Sequence, residues 1–502
     1  MTSDNEHEHD TTQDTPAQPD GSHGVNHDDS RGSGNGRGNG SAGRNSSSNG
    51  DSNSNEHHDH HHWLHDLTNK HNPIRIVVIV LIWIIVIASL GLFGWITFEP
   101  NLPASGLKQQ NMVSANGNGY TDAQASPQPS SSSSPQDKKH ESLKEELEAT
   151  PTTTTPQQQA QQAVEHMSLE EQAGQLVMAP LTAGTEPSTL EPMIKDRHLG
   201  SILLLGNWDS GIAGVRQATT TLQQYVNDNI PMFIATDQEG GAVQHLTGSG
   251  FTTIPSARQQ GQMSDDKLMT SAEQWGQQLR QAGVNIDLAP SLDTVVIDRS
   301  SNAPIGALDR DFGLSAKGNA QHGIAFVEGM RKADVGATIK HYPGLGAVTG
   351  NTDFTADGTV DTVTDVNSIQ LQAFNNAIAQ VNPAMVMISL GIYENLDPNV
   401  PAAFSSYIIN TVLRDSTGYD GVVISDSLSA QAVKGYVPAD LGTKFIQAGG
   451  DIVCLSDLSM VGPVLDGIVY QAQNSPDFAN LVKASAKRVL TLKYEMHLIE
   501  KN

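Results

Sequence analysis

The chain has 502 residues and a formal net charge of −26, with 37% apolar and 17% charged residues. Both fractions lie below the roughly 45–50% apolar and about 25% charged residues of ordinary soluble domains. The negative charge argues against a nucleic-acid partner, because such binding depends on neutralising phosphates with Lys and Arg. The one cysteine, Cys454, excludes an internal disulfide framework and a metal site built from several cysteines.

Residues 1–72 form a low-complexity segment rich in His, Gly, Ser and Asn. Its few apolar residues cannot offset the entropy of ordering the chain, so we expect a disordered cytoplasmic tail. Ten of the 18 histidines lie between His7 and His65, with a cluster at His57, His58, His60, His61 and His62. A tract that captures metal and a solvated, titratable tail are both compatible with this composition. The second is favoured and no metal site is predicted, because no fold would hold the ligands in place.

Residues 73–98 are predicted to form one transmembrane helix. The run Ile76–Phe98 contains 23 residues and no charge, and about 20 apolar residues suffice to span a membrane. It lies too far along the chain for a cleavable signal peptide. Lys70 and Arg75 precede the run and Glu99 follows it, which predicts a cytoplasmic N-terminus and an extracellular C-terminal part at the cell membrane.

Residues 99–158 are rich in Ser, Pro, Thr and Gln. This composition is typical of a disordered linker that proline stiffens in part. We expect the linker to hold an extracellular domain, residues 159–502, away from the membrane.

The domain at 159–502 alternates short apolar runs with segments of helical periodicity, such as 215–228 and 271–283. This alternation predicts a parallel α/β sheet, and eight such units favour a closed (β/α)₈ barrel of the TIM type. An open, doubly wound sheet is the alternative, and the lack of a G-x-G-x-x-G motif after the first strand weakens its dinucleotide-binding form. The predicted strands are 174–181, 200–206, 231–237, 285–293, 336–342, 384–390, 421–426 and 451–456.

Polar residues stand at the carboxyl ends of several predicted strands, where the active sites of such barrels lie. Two carboxylates with basic groups nearby suit cleavage of a glycosidic bond, because one attacks the anomeric carbon while a second group protonates the leaving oxygen. Asp426 follows an apolar strand and suits the nucleophile; alternatively, it caps a helix expected to start near Ser427. The strand-end residues are Asp237, Glu239, Asp293, Lys340, His341, Ser389 and Asp426.

Seven motifs follow one another along the domain: MSLEEQAGQLVM (167–178), DQEGGAVQHL (237–246), IDLAPSLD (286–293), ALDRDFG (307–313), KHYPGLG (340–346), GYDGVVISDSLSA (418–430) and SAKRVLTLK (485–493). Together they resemble the single-domain β-N-acetylhexosaminidases of glycoside hydrolase family 3. The resemblance implies a TIM-type barrel with Asp426 as the nucleophile. It also implies that the sugar is bound by Asp237, Arg310, Lys340 and His341. No cofactor is indicated.

The loop after KHYPGLG departs from the family pattern. In the family the corresponding KHFPGHG leads to a D-S-H triplet, whose Asp–His pair supplies the acid/base. Here Leu345 replaces the loop histidine, and the triplet reads Asn351–Asp353, with Asp353 in the register of the catalytic histidine. Ala242 and His245 stand where the family has arginines, so this part of the rim is less cationic.

Three hypotheses follow for the missing histidine. Asp353 acts as the acid/base with a raised pKa, on a mobile loop. Alternatively the domain binds glycan with little turnover, or the acid comes from Asp357 or Glu394. We favour the first, a membrane-anchored extracellular glycosidase that removes a terminal β-linked sugar, such as N-acetylglucosamine, from cell-wall or environmental glycans. A tethered glycan-binding protein is the alternative.

Overall fold

The computed structural model describes residues 154–227 and 230–499, and the structural statements below concern these residues. The predictions for the tail at 1–72, the span at 73–98 and most of the linker fall outside them. Within the described ranges, no helix combines the length and the apolar character needed to cross a membrane.

Eight parallel strands form the centre of the domain. Hydrogen bonding places them in the order β7-β6-β5-β4-β3-β2-β1-β8, and a parallel bridge between Ile424 and Ile452 joins the first strand to the last. The strands are β1 Val177–Thr182, β2 Ser201–Leu205, β3 Phe233–Thr236, β4 Ile286–Asp287, β5 Gly336–Tyr342, β6 Met385–Ile388, β7 Val422–Ser425 and β8 Val453–Cys454. The predicted parallel barrel is therefore confirmed, and the open sheet was the wrong alternative.

The strands lie within the predicted runs or differ from them by one residue, but β4 and β8 are much shorter than predicted. Each has two residues. Strand β4 stops before Pro290, which has no amide hydrogen to donate to a neighbouring strand.

Helices surround the barrel and begin at residues that satisfy their free amides. Thr155 with Gln158, and Ser168 with Glu171, form reciprocal capping boxes. The helices are α1 Pro156–His166, α2 Leu169–Gly174, α3 Glu191–Arg197, α4 Gly211–Gln224, α5 Ala257–Gln260, α6 Asp265–Gln281, α7 Ala316–Lys332, α8 Ile369–Val381, α9 Pro438–Gln447, α10 Val461–Asn474 and α11 Pro476–Glu495, with a π-helix at Tyr407–Asp415.

Helices α6 and α7 pack against each other at small residues. A Cβ atom added at Gly329 would lie 2.3 Å from the Met269 carbonyl oxygen, and one at Gly276 would lie 2.8 Å from the Ala333 Cβ. Glycine therefore permits a close approach of the two backbones. These helices flank the long loop between β4 and α7, which carries Arg310 to the rim of the barrel.

Two loops at the carboxyl ends of β5 and β6 are joined by a small sheet. It consists of Val360–Asp361, Ile392–Tyr393 and Asp397–Pro401. The first strand pairs in parallel with the second, which pairs antiparallel with the third. This sheet supports the long loop after β5, in which Asp353 lies.

Candidate active site

A cavity of about 460 Å³ opens where the barrel strands end. The cavity is lined by all six residues to which the sequence assigned a catalytic or sugar-binding role: Asp237, Arg310, Lys340, His341, Asp353 and Asp426. The other strand-end candidates, Glu239, Asp293 and Ser389, are buried and do not belong to the described residues that line it. The six lining residues come from four segments, after β3, after β4, on and after β5, and after β7. The fold thus brings together groups that are up to 189 positions apart in the sequence.

Lys340 and His341 are neighbours in β5, yet both side chains line the cavity. In a regular strand, successive side chains point to opposite faces. The pairing of β5 with β6 shifts register between Ile339 and Tyr342. This irregularity at the end of β5 lets both polar side chains face the same space.

Four charged side chains, Asp237, Glu239, Arg310 and Lys340, contact one another at the floor of the cavity, and Glu239 contacts both cations. Its carboxylate accepts two hydrogen bonds from Arg310, at 3.0 Å from Nε and 2.7 Å from Nη2, and lies 2.6 Å from Lys340 Nζ. Lys340 Nζ also donates to Asp237 Oδ1 at 2.5 Å. Burial alone would raise the pKa of Glu239, but Arg310 and Lys340 outweigh it and hold that pKa well below its usual range. The group is a carboxylate that fixes two cations.

His341 is oriented by Asp293, which lies fully buried behind it. The ring Nδ1 is 2.7 Å from Asp293 Oδ2, and the same carboxylate accepts the Leu345 amide at 2.6 Å. Burial opposes ionisation of Asp293, but His341 and these hydrogen bonds lower its pKa. Because Asp293 is a carboxylate and Arg310 can only donate, the proton of the ring belongs on Nδ1. Nε2 then accepts from Arg310 Nη2 at 3.4 Å.

Asp287 is a further buried carboxyl below this floor, in β4. Its Oδ1 accepts the Gln238 amide at 3.0 Å, next to Asp237. Burial raises the pKa of Asp287 to about 8, so it is mostly neutral at pH 7. The sequence indicated Glu239 and Asp293 as strand-end groups without assigning them roles, and Asp287 was missed because it lies within a run that reads as an apolar strand.

Asp426 follows the last residue of β7 directly. Its amide donates to the Ile388 carbonyl, and its Oδ1 accepts the Ser427 amide at 2.8 Å. No helix starts at Ser427: the next helical turn is the short Gln431–Val433, whose N-cap is Ala430. The interpretation of Asp426 as a helix cap was therefore wrong, and its carboxylate faces the cavity instead.

Asp353 lies at the exposed mouth of the cavity, on the loop after β5. Loss of water around its carboxyl at the cavity wall and, second, the charge of the Asp426 carboxylate raise the pKa of Asp353 to about 6. The loop is tied to the segment after β7, because the Ala432 amide donates to the Thr352 carbonyl at 3.0 Å and the Gln431 amide to the Asp353 carbonyl at 3.3 Å. These bonds place the loop across the mouth rather than away from it.

The remaining residues of this loop clarify the other hypotheses. Leu345 is buried and packs with Ile305 and Val348. Asp357 and Glu394 are exposed and do not belong to the described residues that line the cavity. Asp353 is thus better placed than either to serve as an acid.

In the part of the chain that the structure describes, no group of three or more His, Cys, Asp or Glu side chains is arranged to hold a metal ion. Lys340 and Arg310 supply positive charge at the floor of the cavity.

Residues 168–492 match the model of the glycosyl hydrolase family 3 N-terminal domain. The chain belongs to glycosyl hydrolase family 3. A β-hexosaminidase of Nitrosomonas eutropha is 28% identical over 311 residues, which cover 60% of this chain and 86% of that protein. The β-hexosaminidase LpqI of Mycobacterium tuberculosis is 29% identical over 313 residues, covering 60% and 78%.

Solved structures support the same assignment. The crystal structure of a β-N-acetylhexosaminidase from Beutenbergia cavernae is 40% identical, covers 65% of this chain and 99% of that one, and superposes with a TM-score of 0.64. The resemblance inferred from the motifs is confirmed, and this family 3 chain is a glycosidase.

Proposed function

We propose that this family 3 domain removes a terminal β-linked N-acetylhexosamine with retention of configuration, with Asp426 as nucleophile and Asp353 as acid/base. The observation that carries the proposal is the pairing of these two carboxyls in one cavity. Asp426 accepts an amide and faces the floor of fixed charge, whereas the pKa of Asp353 is raised to about 6. Two carboxyl groups in such different surroundings suit different roles, one as the nucleophile and the other as the acid.

In the first step, an Asp426 oxygen bonds to the anomeric carbon as the glycosidic bond breaks, and Asp353 gives its proton to the leaving oxygen. In the second step, Asp353 takes a proton from water, whose oxygen bonds to the anomeric carbon while the bond to Asp426 breaks. The product keeps the β configuration, because each step inverts the carbon once.

The charge on Asp426 also supports the change of role of Asp353 between the steps. That charge is the second cause of the raised pKa of Asp353. It is neutralised when Asp426 carries the sugar as an ester, so the pKa of Asp353 falls. The acid form is therefore favoured before the first step and the base form before the second.

The floor of the cavity is suited to sugar hydroxyls. Asp237 offers an acceptor, while Arg310 and Lys340 offer donors that Glu239 holds in place. A hydrogen bond from a charged group to a hydroxyl contributes about 1.5–3 kcal/mol. His341, which Asp293 orients, is a further polar group that lines the cavity.

The sugar is proposed to be an N-acetylhexosamine because the relatives with matching length bear names of that activity. These are the β-hexosaminidases of Nitrosomonas eutropha and Mycobacterium tuberculosis and the β-N-acetylhexosaminidase of Beutenbergia cavernae. Cell-wall and environmental glycans are the proposed sources of such ends.

The test uses the purified full-length chain and 4-nitrophenyl N-acetyl-β-D-glucosaminide. We expect release of 4-nitrophenol, and a first-formed β anomer when the products are followed by proton NMR. A first-formed α anomer would contradict retention. Sugar binding without any release would instead favour a tethered glycan-binding protein. The absence of the family's acid/base histidine is the observation that favours this alternative.

We also propose that the domain is extracellular and held at the cell membrane by Ile76–Phe98. The uncharged run and the positive residues before it support this proposal. Protease added to intact cells should degrade the domain, and deletion of 76–98 should move it to the soluble fraction. Protection of the domain in intact cells would contradict the orientation.

A further inference from the structure

The cavity is polar at its floor and partly apolar at its mouth. Phe354 and Leu308 both line it, and their exposed fractions are 78% and 40%. An aromatic ring as exposed as Phe354 loses favourable burial unless a ligand covers it. It lies in the same cavity as the floor charges, so the ligand that covers it is expected to continue from the one bound there.

The position of Phe354 indicates which part of a substrate reaches it. It follows Asp353 directly, and the peptide between them is held in place because the Asp353 carbonyl accepts the Gln431 amide at 3.3 Å. Asp353 is the proposed proton donor, and a donor must lie beside the oxygen that leaves. Because Phe354 adjoins the proposed donor, we expect its ring to lie nearer the leaving group than the sugar that Asp426 attacks.

We propose that Phe354 forms a binding subsite for the leaving group, in which its ring packs against the face of a second pyranose. The C–H bonds on such a face carry slight positive charge and suit the negative face of an aromatic ring. The inference rests on the proposed function and adds to it that the substrate has a sugar on its reducing side. A fluoride leaving group has no pyranose face to pack against the ring.

The test compares two substrates of the full-length chain that share the transferred sugar. One is N,N′-diacetylchitobiose, in which the leaving group is a pyranose, and the other is N-acetyl-β-glucosaminyl fluoride, in which it is a fluoride ion. For Phe354→Ala we expect the KM for the disaccharide to rise about five- to tenfold, with the kinetics of the fluoride unchanged. Phe354→Tyr should restore the KM, because tyrosine keeps the ring.

Val363→Ala is the matched control, since Val363 is a 57% exposed apolar residue that follows in the same loop and does not line the cavity. It should leave both substrates unaffected. Equal losses on both substrates in Phe354→Ala, or no loss on either, would overturn the subsite. A parent enzyme that hydrolyses neither substrate would overturn the proposed function itself, and this inference with it.

Discussion

The floor of the cavity and the loop across its mouth hold their charges in different ways. On the floor, Glu239 and Lys340 are almost fully buried, and each contacts more than one charged partner. At the mouth, the Asp353 residue is exposed, and its raised pKa follows from partial loss of water around the carboxyl and from the charge of Asp426. The floor keeps charges ionised by pairing them, while desolvation and, second, a like charge raise the pKa of the loop carboxyl to about 6.

The difference matters because sugar binding and proton transfer need different kinds of charged group. Binding of the sugar and attack on it need ionised groups that do not move. Proton transfer needs a group whose protonation changes at working pH. A buried carboxylate between two cations cannot change in this way, whereas an exposed one facing another carboxylate can.

The largest loss of activity is expected when Asp426, which lines the same cavity as both regions, is replaced. Asp426→Ala removes the nucleophile, so kcat for 4-nitrophenyl N-acetyl-β-D-glucosaminide should fall by about 10⁴-fold or more. Asp420→Ala is the control, because Asp420 is an exposed carboxylate at the opposite end of the same strand. Turnover within about tenfold of the parent in Asp426→Ala would contradict a covalent mechanism through this residue.

The next effect separates the loop from the floor. Asp353→Ala removes the proton donor, so kcat for the disaccharide should fall by about 10²–10⁴-fold. For the glycosyl fluoride, whose leaving group needs no proton, kcat/KM should change much less, while kcat should fall because Asp353 no longer activates the water of the second step. Azide should restore turnover of the fluoride by replacing water, with a β-glycosyl azide as product.

Asp357→Ala provides the matched control for that experiment. Asp357 lies four positions further along the loop, is also exposed, and does not line the cavity. It should behave like the parent on both substrates. A loss on the disaccharide in Asp357→Ala, with full activity in Asp353→Ala, would move the acid to Asp357.

Loss of a charge at the floor of the cavity should lower the stability of the domain. Glu239→Gln removes the charge between Arg310 and Lys340, and breaking such a buried pair costs about 3–5 kcal/mol. The free energy of unfolding in guanidinium chloride should fall accordingly. Glu191→Gln is the matched control, because Glu191 on α3 forms a similarly short ion pair with Lys195, at 2.5 Å, in which the two side chains are 38% and 39% exposed. Comparable losses in both variants would show that burial does not distinguish the floor.

Much of this comparison could be predicted from the sequence, and the physical reasons are local. Short apolar runs between turn residues mark buried parallel strands, so the barrel and the polar ends of its strands followed from the pattern. Asp426 and Lys340 were found because each ends such a run. Motif resemblance added Arg310, which no strand pattern marks.

Other features depend on contacts that no local pattern records. The irregular end of β5, which turns both Lys340 and His341 into the cavity, arises from its pairing with β6. The roles of Glu239 and Asp293 arise from partners 71 and 48 positions away. The docking of Thr352 and Asp353 onto the segment after β7 likewise joins distant parts of the chain, so the loop could be named from the sequence but not placed.

The smallest expected effect concerns pH, and it tests the coupling between the two regions. Asp353 must be protonated for the first step, and its pKa is raised to about 6. The value of kcat/KM for the disaccharide should therefore be steady just below pH 6 and fall about tenfold per pH unit above it.

Breakdown of the glycosyl-enzyme, measured after a burst with a reactive aryl glycoside, needs Asp353 ionised and should speed up as pH rises. Its midpoint should lie below pH 6, since the esterified Asp426 no longer raises the pKa of Asp353. The same midpoint for both steps would show that the charge of Asp426 does not set the proton affinity of Asp353.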